Sequence, residues 1–439
     1  MSHPDVLIIG AGPAGLSAAI ELARLGLRSL LVEQRDQVGG AIYRGHADGH
    51  SATALTAHHR RRRDVLLQVL GEAGSRVTSA LESVFLGVDR DGRCLIDNRR
   101  VGHVQGVLPK AVILAVGTVE RVLPREGWEL PGVVTAGGMQ VQLKETGVPP
   151  QGPILLAGNG PLLLALGAQL AAAGNPPVAV LERARPLMTA WQQRRAVVDA
   201  LRCWPNVKDA AYYVIQLLRA HVPYCSGWSL VSIRQTSTGL LVGSQHHSGV
   251  YREYLVQHLA LHDGLLPNTT GLPAPMQSDQ GCIVHAGDCR EVLGAVAAIA
   301  DGRRAAQQVV RHLGHACHDG QQDRAIDKVR RTQAAMAQLF QAPPIVPTAQ
   351  TVICRCEGLR RTDFEHLLVA GSARELRLVG RFAMGVCQGR FCAETVSSLA
   401  HEHGIDFDPA ALNGDVPRWP LRPVSLAALA NYTELDPVL

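Results

Sequence analysis

The apolar positions of this chain fall into short unbroken runs joined by glycine turns, and two of these runs open the same scheme. Near the N-terminus, "VLII" at 6–9 precedes a helical stretch from Ala14 to about Leu25 and then "SLLVE", which ends at Glu33. The scheme recurs from Ile154, where "ILLAGNGPLLLALGAQL" leads into "VAVLE", ending at Glu182. A short apolar run bounded by glycine reads as a strand buried on both faces, and the longer run after it as a crossover helix. No charged residue lies between Glu145 and Glu182, a stretch longer than the roughly 20 residues of a membrane span. Its glycines and the "GNPP" at 174–177 divide it into strand, helix and strand, so the pattern predicts a buried βαβ unit and not an integral membrane protein.

Further runs extend the picture. "AVILAVGT" at 111–118 predicts a buried strand ending in a turn at Gly117, and "VHAGD" at 284–288 predicts a strand entering a helix of small residues. Polar alternation from Gln321 to Phe340 predicts one helix packed on the body. The prolines of "APPIVPT" at 342–348 cannot continue it, which marks a linker. From about Asp415, with Pro417, Pro420 and Pro423, the chain reads as an extended tail over another surface.

The glycine spacing brings in chemistry. In Gly10-x-Gly12-x-x-Gly15, the first glycine permits the tight turn, the second lets the backbone approach a pyrophosphate, and the third packs helix on strand. The helix N-terminus then faces the phosphates, and Glu33 stands where a carboxylate accepts ribose hydroxyls. In the second unit Gly158, Gly160 and Glu182 keep these places, but Leu163 replaces the third glycine. Three readings stay open there: NAD, another nucleotide such as ATP, or a fold without a ligand. Gly287-Asp288, following such a first unit, fits an aspartate that binds flavin ribitol hydroxyls.

Length and charge bound the rest. A chain of 439 residues exceeds one ordinary core, and 43 basic against 38 acidic side chains leave a net charge of +5, too small an excess to imply a nucleic-acid partner. The basic run His58–Arg63 reads as a solvated helix face or loop. Glycines break the N-terminal apolar run before the roughly 7 to 15 residues that a signal peptide needs. The chain thus reads as cytoplasmic, where ten cysteines argue against a disulfide framework.

Four of those cysteines gather near the C-terminus: Cys354 and Cys356 as C-x-C, Cys387 and Cys392 as C-x4-C. In an extended segment residues two apart face the same way, and Gly385 and Gly389 would let the second pair's loop offer N–H groups to sulfur. Zinc is the rival, although the C-x-C half fits a zinc knuckle poorly. Arg355, Arg381 and Arg390 read either as a solvated face or as charges that offset a thiolate-bound cluster. The cysteines at 94, 203, 225, 282, 289 and 317 read as small buried apolar residues, His262 and His285 as structural, and no catalytic base stands out.

The glycine units and Gly287-Asp288 resemble the glutathione-reductase-like flavoproteins, an α/β fold of two Rossmann-like domains, one inserted in the other. "GGAIYRG", "GWELPGVVTAGGMQ", "AGNGPLLL", "ICRCEG" and "MGVCQGRFC" together resemble the alpha subunits of heteromeric amino-acid and opine dehydrogenases, a group that includes the B subunit of bacterial hydrogen cyanide synthase. The cysteine segment resembles the bacterioferritin-associated ferredoxin type of [2Fe-2S] domain. The resemblance implies an FAD domain at 1–120 and 262–315, a second nucleotide-type domain at 121–261, a helix and linker at 316–350, a small α-rich [2Fe-2S] domain at 351–410 and a tail at 411–439. FAD would be held by Gly10, Gly12, Gly15, Glu33, Gly40, Gly117, Gly287 and Asp288, and the cluster by the four cysteines. The resemblance further implies FMN at a subunit interface, a D-amino-acid-oxidase-like flavoprotein partner, a small ferredoxin-like subunit, an amino-acid-type substrate, and a place in the cytoplasm or at the inner membrane face. One departure matters: "GGAIYRG" lacks the redox cysteines that disulfide reductases carry there.

Overall fold

The computed structural model describes residues 4–44, 56–201, 204–278, 281–316, 321–367, 372–413 and 419–434. Strand β1 (Val6–Ile9) is buried along its whole length because parallel neighbours flank it on both sides. Helix α1 (Pro13–Arg24) follows, with Pro13 in the first turn, where a missing N–H costs nothing. The chain continues through β2 (Ser29–Val32), α2 (Ala57–Glu72) and β3 (Val77–Ala80). Thr56 caps α2 by accepting the His59 N–H, and the basic run occupies its first turns. Strands β4 (Ser83–Val88), β5 (Cys94–Asn98) and β6 (His103–Val107) form an antiparallel sheet, and Phe85, Cys94 and Ile96 cover the face of the main sheet opposite α1. Strand β7 (Ala111–Leu114) then returns beside β1.

The short β8 (Thr118–Glu120) carries the chain out of this domain. The second domain contains β9 (Val133–Thr135), α3 (Ala136–Thr146), β10 (Ile154–Gly158), α4 (Leu162–Ala172) and β11 (Ala179–Glu182). It continues through α5 (Pro186–Gln192), α6 (Arg194–Leu201), α7 (Trp204–Arg219) and β12 (Tyr224–Ser226). An antiparallel layer of β13 (Trp228–Thr236), β14 (Gly239–His246) and β15 (Tyr251–Val256) precedes β16 (His258–His262). Its main sheet runs β12-β11-β10-β16-β9, all parallel. Apolar residues fill both faces: Leu155, Leu181 and Leu259 on one, and Leu156, Val180 and Leu163 on the other.

Strand β17 (Leu265–Pro267) pairs antiparallel with β8, so the outgoing and returning chains lie side by side. Strands β18 (Met276–Ser278) and β19 (Gly281–His285) complete the first sheet in the order β18-β19-β7-β1-β2-β3. Helix α8 (Ala295–His312) crosses α1 so closely that a Cβ on Gly302 would lie 2.1 Å from the Ala14 carbonyl oxygen. The doubly wound α/β class expected from the two repeated units is therefore borne out.

Helix α9 (Gln321–Leu339) lies against α6 and α8. Beyond it, β20 (Val352–Cys354), β21 (Leu359–Arg360), α10 (Arg361–Glu365), α11 (Ala373–Leu378) and α12 (Ala393–Glu402) enclose a small core of Ile353, Phe364, Leu376, Phe382 and Val396. The tail is not simply extended. It forms α13 (Leu426–Ala430), capped by the Ser425 hydroxyl, and β22 (Thr433–Glu434), which pairs parallel with β6. After Pro423 the good helix formers of "LAALA" at 426–430 take over. Among the described residues no helix is long and apolar enough to cross a membrane.

Candidate functional site: two nucleotide-type folds and a cysteine domain

The first cleft opens at the C-terminal ends of β1, β2, β7 and β19. Gly10 has φ of +100°, and a Cβ there would meet the Ala115 carbonyl oxygen at 2.5 Å. A Cβ on Gly15 would lie 1.8 Å from the Gly10 oxygen, so helix–strand contact excludes any side chain. Gly12 differs: its nearest neighbour would be the Gly40 Cα at 3.8 Å, and its bare backbone leaves space for a ligand. Gly40, at φ of +63°, folds the Gly39-Gly40 turn onto the glycine loop, and the Gly39 N–H donates to the Ala11 carbonyl at 2.8 Å. Glu33 is buried and accepts the Ala11 N–H at 2.9 Å and the Arg35 N–H at 3.2 Å. Gly117 makes the turn after β7, and its carbonyl accepts the Asn268 N–H at 3.1 Å.

On the opposite wall, one oxygen of Asp288 accepts the N–H groups of Leu293 at 2.9 Å and Gly294 at 2.8 Å. Burial pushes its carboxyl up, and nearby Asp301 adds to this. Asp301, which sequence reasoning missed, positions the turn: it accepts the Gly287 N–H at 2.7 Å and pairs with Arg290 at 2.8 Å and Arg304 at 2.6 Å. Cys289 is buried behind Asp288, and burial raises its thiol to about 11, in keeping with a structural role.

The second fold has the same backbone scheme, with its acid held in a similar way. The two oxygens of Glu182 accept the Gly160 N–H at 2.8 Å and the Ala184 N–H at 2.9 Å, the residue is 0% exposed, and burial pushes its carboxyl up to about 7. Leu163 is fully buried in the apolar layer beneath α4, and that helix begins at Leu162. His262 belongs to this fold rather than to the flavin domain. It ends β16, and its Nδ1 lies 3.3 Å from Glu120. Glu120 also accepts the Gly137 and Gly138 N–H groups at the start of α3. His285 is structural, its Nε2 2.9 Å from the Pro273 carbonyl oxygen.

The four C-terminal cysteines meet as two pairs, Cys354 with Cys392 and Cys356 with Cys387. The partners come from opposite halves of the motif, so each C-x-C thiol faces one C-x4-C thiol. Among the described residues no three His, Cys, Asp or Glu side chains are gathered at metal-binding geometry. Cys392 and backbone N–H groups of Glu357, Ala383 and Cys356 draw Cys354 down to about 6, and Cys392 is pushed up in turn. Backbone groups of Phe391 and Gly389 face Cys387, whereas Gly385 packs on the Cys356 side chain. Arg390 donates to the Cys387 carbonyl at 3.1 Å, and its Nε is buried without a partner. Arg381 pairs with Glu357 at 2.7 Å, and Arg355 lies over the Trp128 ring at 5.7 Å. Cys203 and Cys317 lie outside the described residues.

Residues 4–201 match the family of pyridine nucleotide-disulphide oxidoreductases. The A subunit of opine oxidase from Rhizobium meliloti is 31% identical over 99% of this chain and 100% of that protein. The chain belongs to the family of opine oxidase A subunits. Another relative, the hydrogen cyanide synthase subunit HcnB of Pseudomonas protegens, is 29% identical over 96% of each chain. The fold matches a crystal structure of L-proline dehydrogenase from P. horikoshii with a TM-score of 0.66 at 18% identity, over 98% of this chain and 79% of that one.

In this member of the opine oxidase A-subunit family, an oxidoreductase of the FAD-binding type, the flavin cleft and the second fold are fastened together. Lys144 on α3 is 2% exposed and donates to the carbonyls of Ala41 at 3.0 Å and Ile42 at 3.3 Å, directly after Gly39-Gly40. Arg44 pairs with the neighbouring Glu145 at 3.3 Å. The only sequence signal for Lys144 was a lone cation at the border of an apolar run.

Proposed function

We propose that the chain is the FAD and [2Fe-2S] electron-transfer subunit of a heteromeric dehydrogenase that oxidises the C–N bond of an amino-acid, imino-acid or opine substrate. Oxidation would occur on a partner flavoprotein resembling D-amino-acid oxidase, with FMN at the interface and a small ferredoxin-like subunit completing the complex. The observation that carries this reading is the pairing of four thiols in one domain seated on a flavoprotein body. Two pairs suit a centre with two irons, each taking two thiolates. The N–H groups around Cys354 and Cys387, and the unpartnered guanidinium edge of Arg390, suit a negatively charged group.

FAD exchanges two electrons with its donor and can release them singly, and a [2Fe-2S] cluster carries one at a time. The chain's own part is to bind and orient. The bare backbone at Gly12 would admit the pyrophosphate, Glu33 would meet the ribose, and Asp288, fixed through one oxygen, would present the other to the ribitol chain. The near-equal identity to HcnB supports a second reading, glycine oxidation in a cyanide-forming complex.

Anaerobic purification followed by flavin, iron and acid-labile sulfide analysis tests the proposal. One FAD with two irons and two sulfides per chain is expected, and Cys356→Ser together with Cys392→Ser should abolish the iron while FAD stays. Zinc in place of iron, or FAD with no labile sulfide under strict exclusion of oxygen, would overturn the electron relay.

A further inference from the structure

The mouth of the second nucleotide fold lies at the C-terminal ends of β10 and β11, where a dinucleotide sits in folds of this class. Here another part of the chain crosses it. Asn159, between the two glycines of the loop, donates its Nδ2 to the Phe340 carbonyl at 2.8 Å. Arg183, next to Glu182, donates Nη2 to the Pro343 carbonyl. These donors mark the two points that the adenosine half of a dinucleotide would touch, the pyrophosphate loop and the acid that ends the second strand. Adjacent strands lie about 4.8 Å apart, and three residues of extended chain reach about 10 Å, enough to span both strand ends.

We propose that residues 340–343 are the built-in occupant of this groove, anchoring the linker of the cysteine domain there and excluding a nicotinamide dinucleotide. Arg183 is braced from behind: Asp263 lies 3.5 Å from its Nη1, pairs with Arg125 and accepts the Leu123 N–H at 3.1 Å, all within buried surroundings.

The loop's own donors are committed as well. In the flavin cleft the acid takes the N–H of Ala11, the residue between the glycines. In the second fold it takes that of Gly160, the glycine whose backbone would approach a pyrophosphate. The Asn159 N–H is held by the His262 carbonyl at 2.7 Å, and Pro161 has none. Pro343 and Pro344 stiffen the strap, and past it the Thr348 N–H donates to Thr351 at 2.8 Å and the Trp128 indole to the Val352 carbonyl at 2.7 Å. The inference holds whether or not the cysteines carry a cluster.

Two measurements on the full-length FAD-loaded protein test it. Equilibrium dialysis with NADH and NADPH at millimolar concentration should show no saturable binding, while the hydrogen-bonded N–H groups of Phe340, Gln341 and Thr348, the reporters of the 340–349 segment, exchange slowly. Asn159→Asp, which turns the donor into a repelling oxygen at nearly constant shape, should speed exchange in that segment roughly ten-fold with FAD content unchanged. Saturable binding of either dinucleotide to the wild type, fast exchange of the wild-type segment, or no change in the variant would each overturn the proposal. None of these readouts depends on iron, so failure of the cluster assignment and failure of the strap remain distinguishable.

Discussion

Replacing Lys144 by methionine, a close match in length, probes the fastening between the two nucleotide folds through its response to pH. Burial, with the Arg44 guanidinium adding to it, lowers the Lys144 amine from 10.5 to about 7. Between those values the unfolded chain holds the proton that the native state has released, so this group makes stability rise with pH. At about 1.4 kcal/mol per pH unit, the gain between pH 7 and pH 10 is on the order of 4 kcal/mol. Lys144→Met abolishes that titration and leaves the Ala41 and Ile42 carbonyls unmatched, at a cost of about 1–3 kcal/mol each. Near pH 7 this loss and the penalty of the buried amine offset one another, so the two proteins should be similar. By pH 10 the wild type should lead by about 4 kcal/mol more than it did at pH 7. Urea denaturation at each pH, followed by circular dichroism and flavin release, measures the gap. Every other ionisable group is common to both proteins and cancels. A gap that stays constant within about 1 kcal/mol from pH 7 to pH 10 would refute the reasoning.

The flavin loop makes a paired prediction: Gly15→Ala, whose Cβ would collide with the Gly10 oxygen, should lower the melting temperature and soluble yield, whereas Gly12→Ala should fold and purify with little FAD; equal FAD loss without a stability difference would count against these roles. Burial raises the Glu182 carboxyl from 4.5 to about 7, so its contribution is present below pH 4.5 and is lost as pH rises through 7, about 3 kcal/mol in all. Glu182→Gln cannot titrate, and thermal unfolding between those values should lose stability less steeply than the wild type; parallel slopes would exclude a buried neutral acid. Trp128→Phe strands the Val352 carbonyl at a cost of about 1–3 kcal/mol; exchange across 351–367 should quicken with FAD retained, and an unchanged rate would show that this contact does not hold the cysteine domain.

What could be read along the chain was local. The two strand–glycine–helix units, the small-residue helix α8 and the linker prolines follow from periodicity and from residues that permit only certain backbones. The direction in which a side chain points could not be read this way. Glu33 and Glu182 stand at equivalent places and both are buried, yet Glu33 takes the N–H of Ala11 and Glu182 that of Gly160. Leu163 stands where the third glycine would be, yet α4 begins at Leu162 and the leucine joins the layer below. Asn159 and Phe340 meet across 181 positions, and no pattern within either segment announces the contact. The layer β4–β6 escaped notice for another reason: glycine and polar residues interrupt its strands.

The cysteine domain is bounded by two attachments made to different parts of the molecule. Its entry strap lies on the second fold, while the tail that leaves it adds β22 to the flavin-side sheet and buries Leu421 in that domain's apolar layer. A redox carrier on a single flexible arm can swing between a donor and a distant acceptor. If it carries the proposed cluster, a domain moored fore and aft would act instead as a stationary relay, to which the acceptor has to travel. Cys356, the exposed member of the four, would then mark the outlet, and a spin label beside it should tumble with the whole particle rather than on its own.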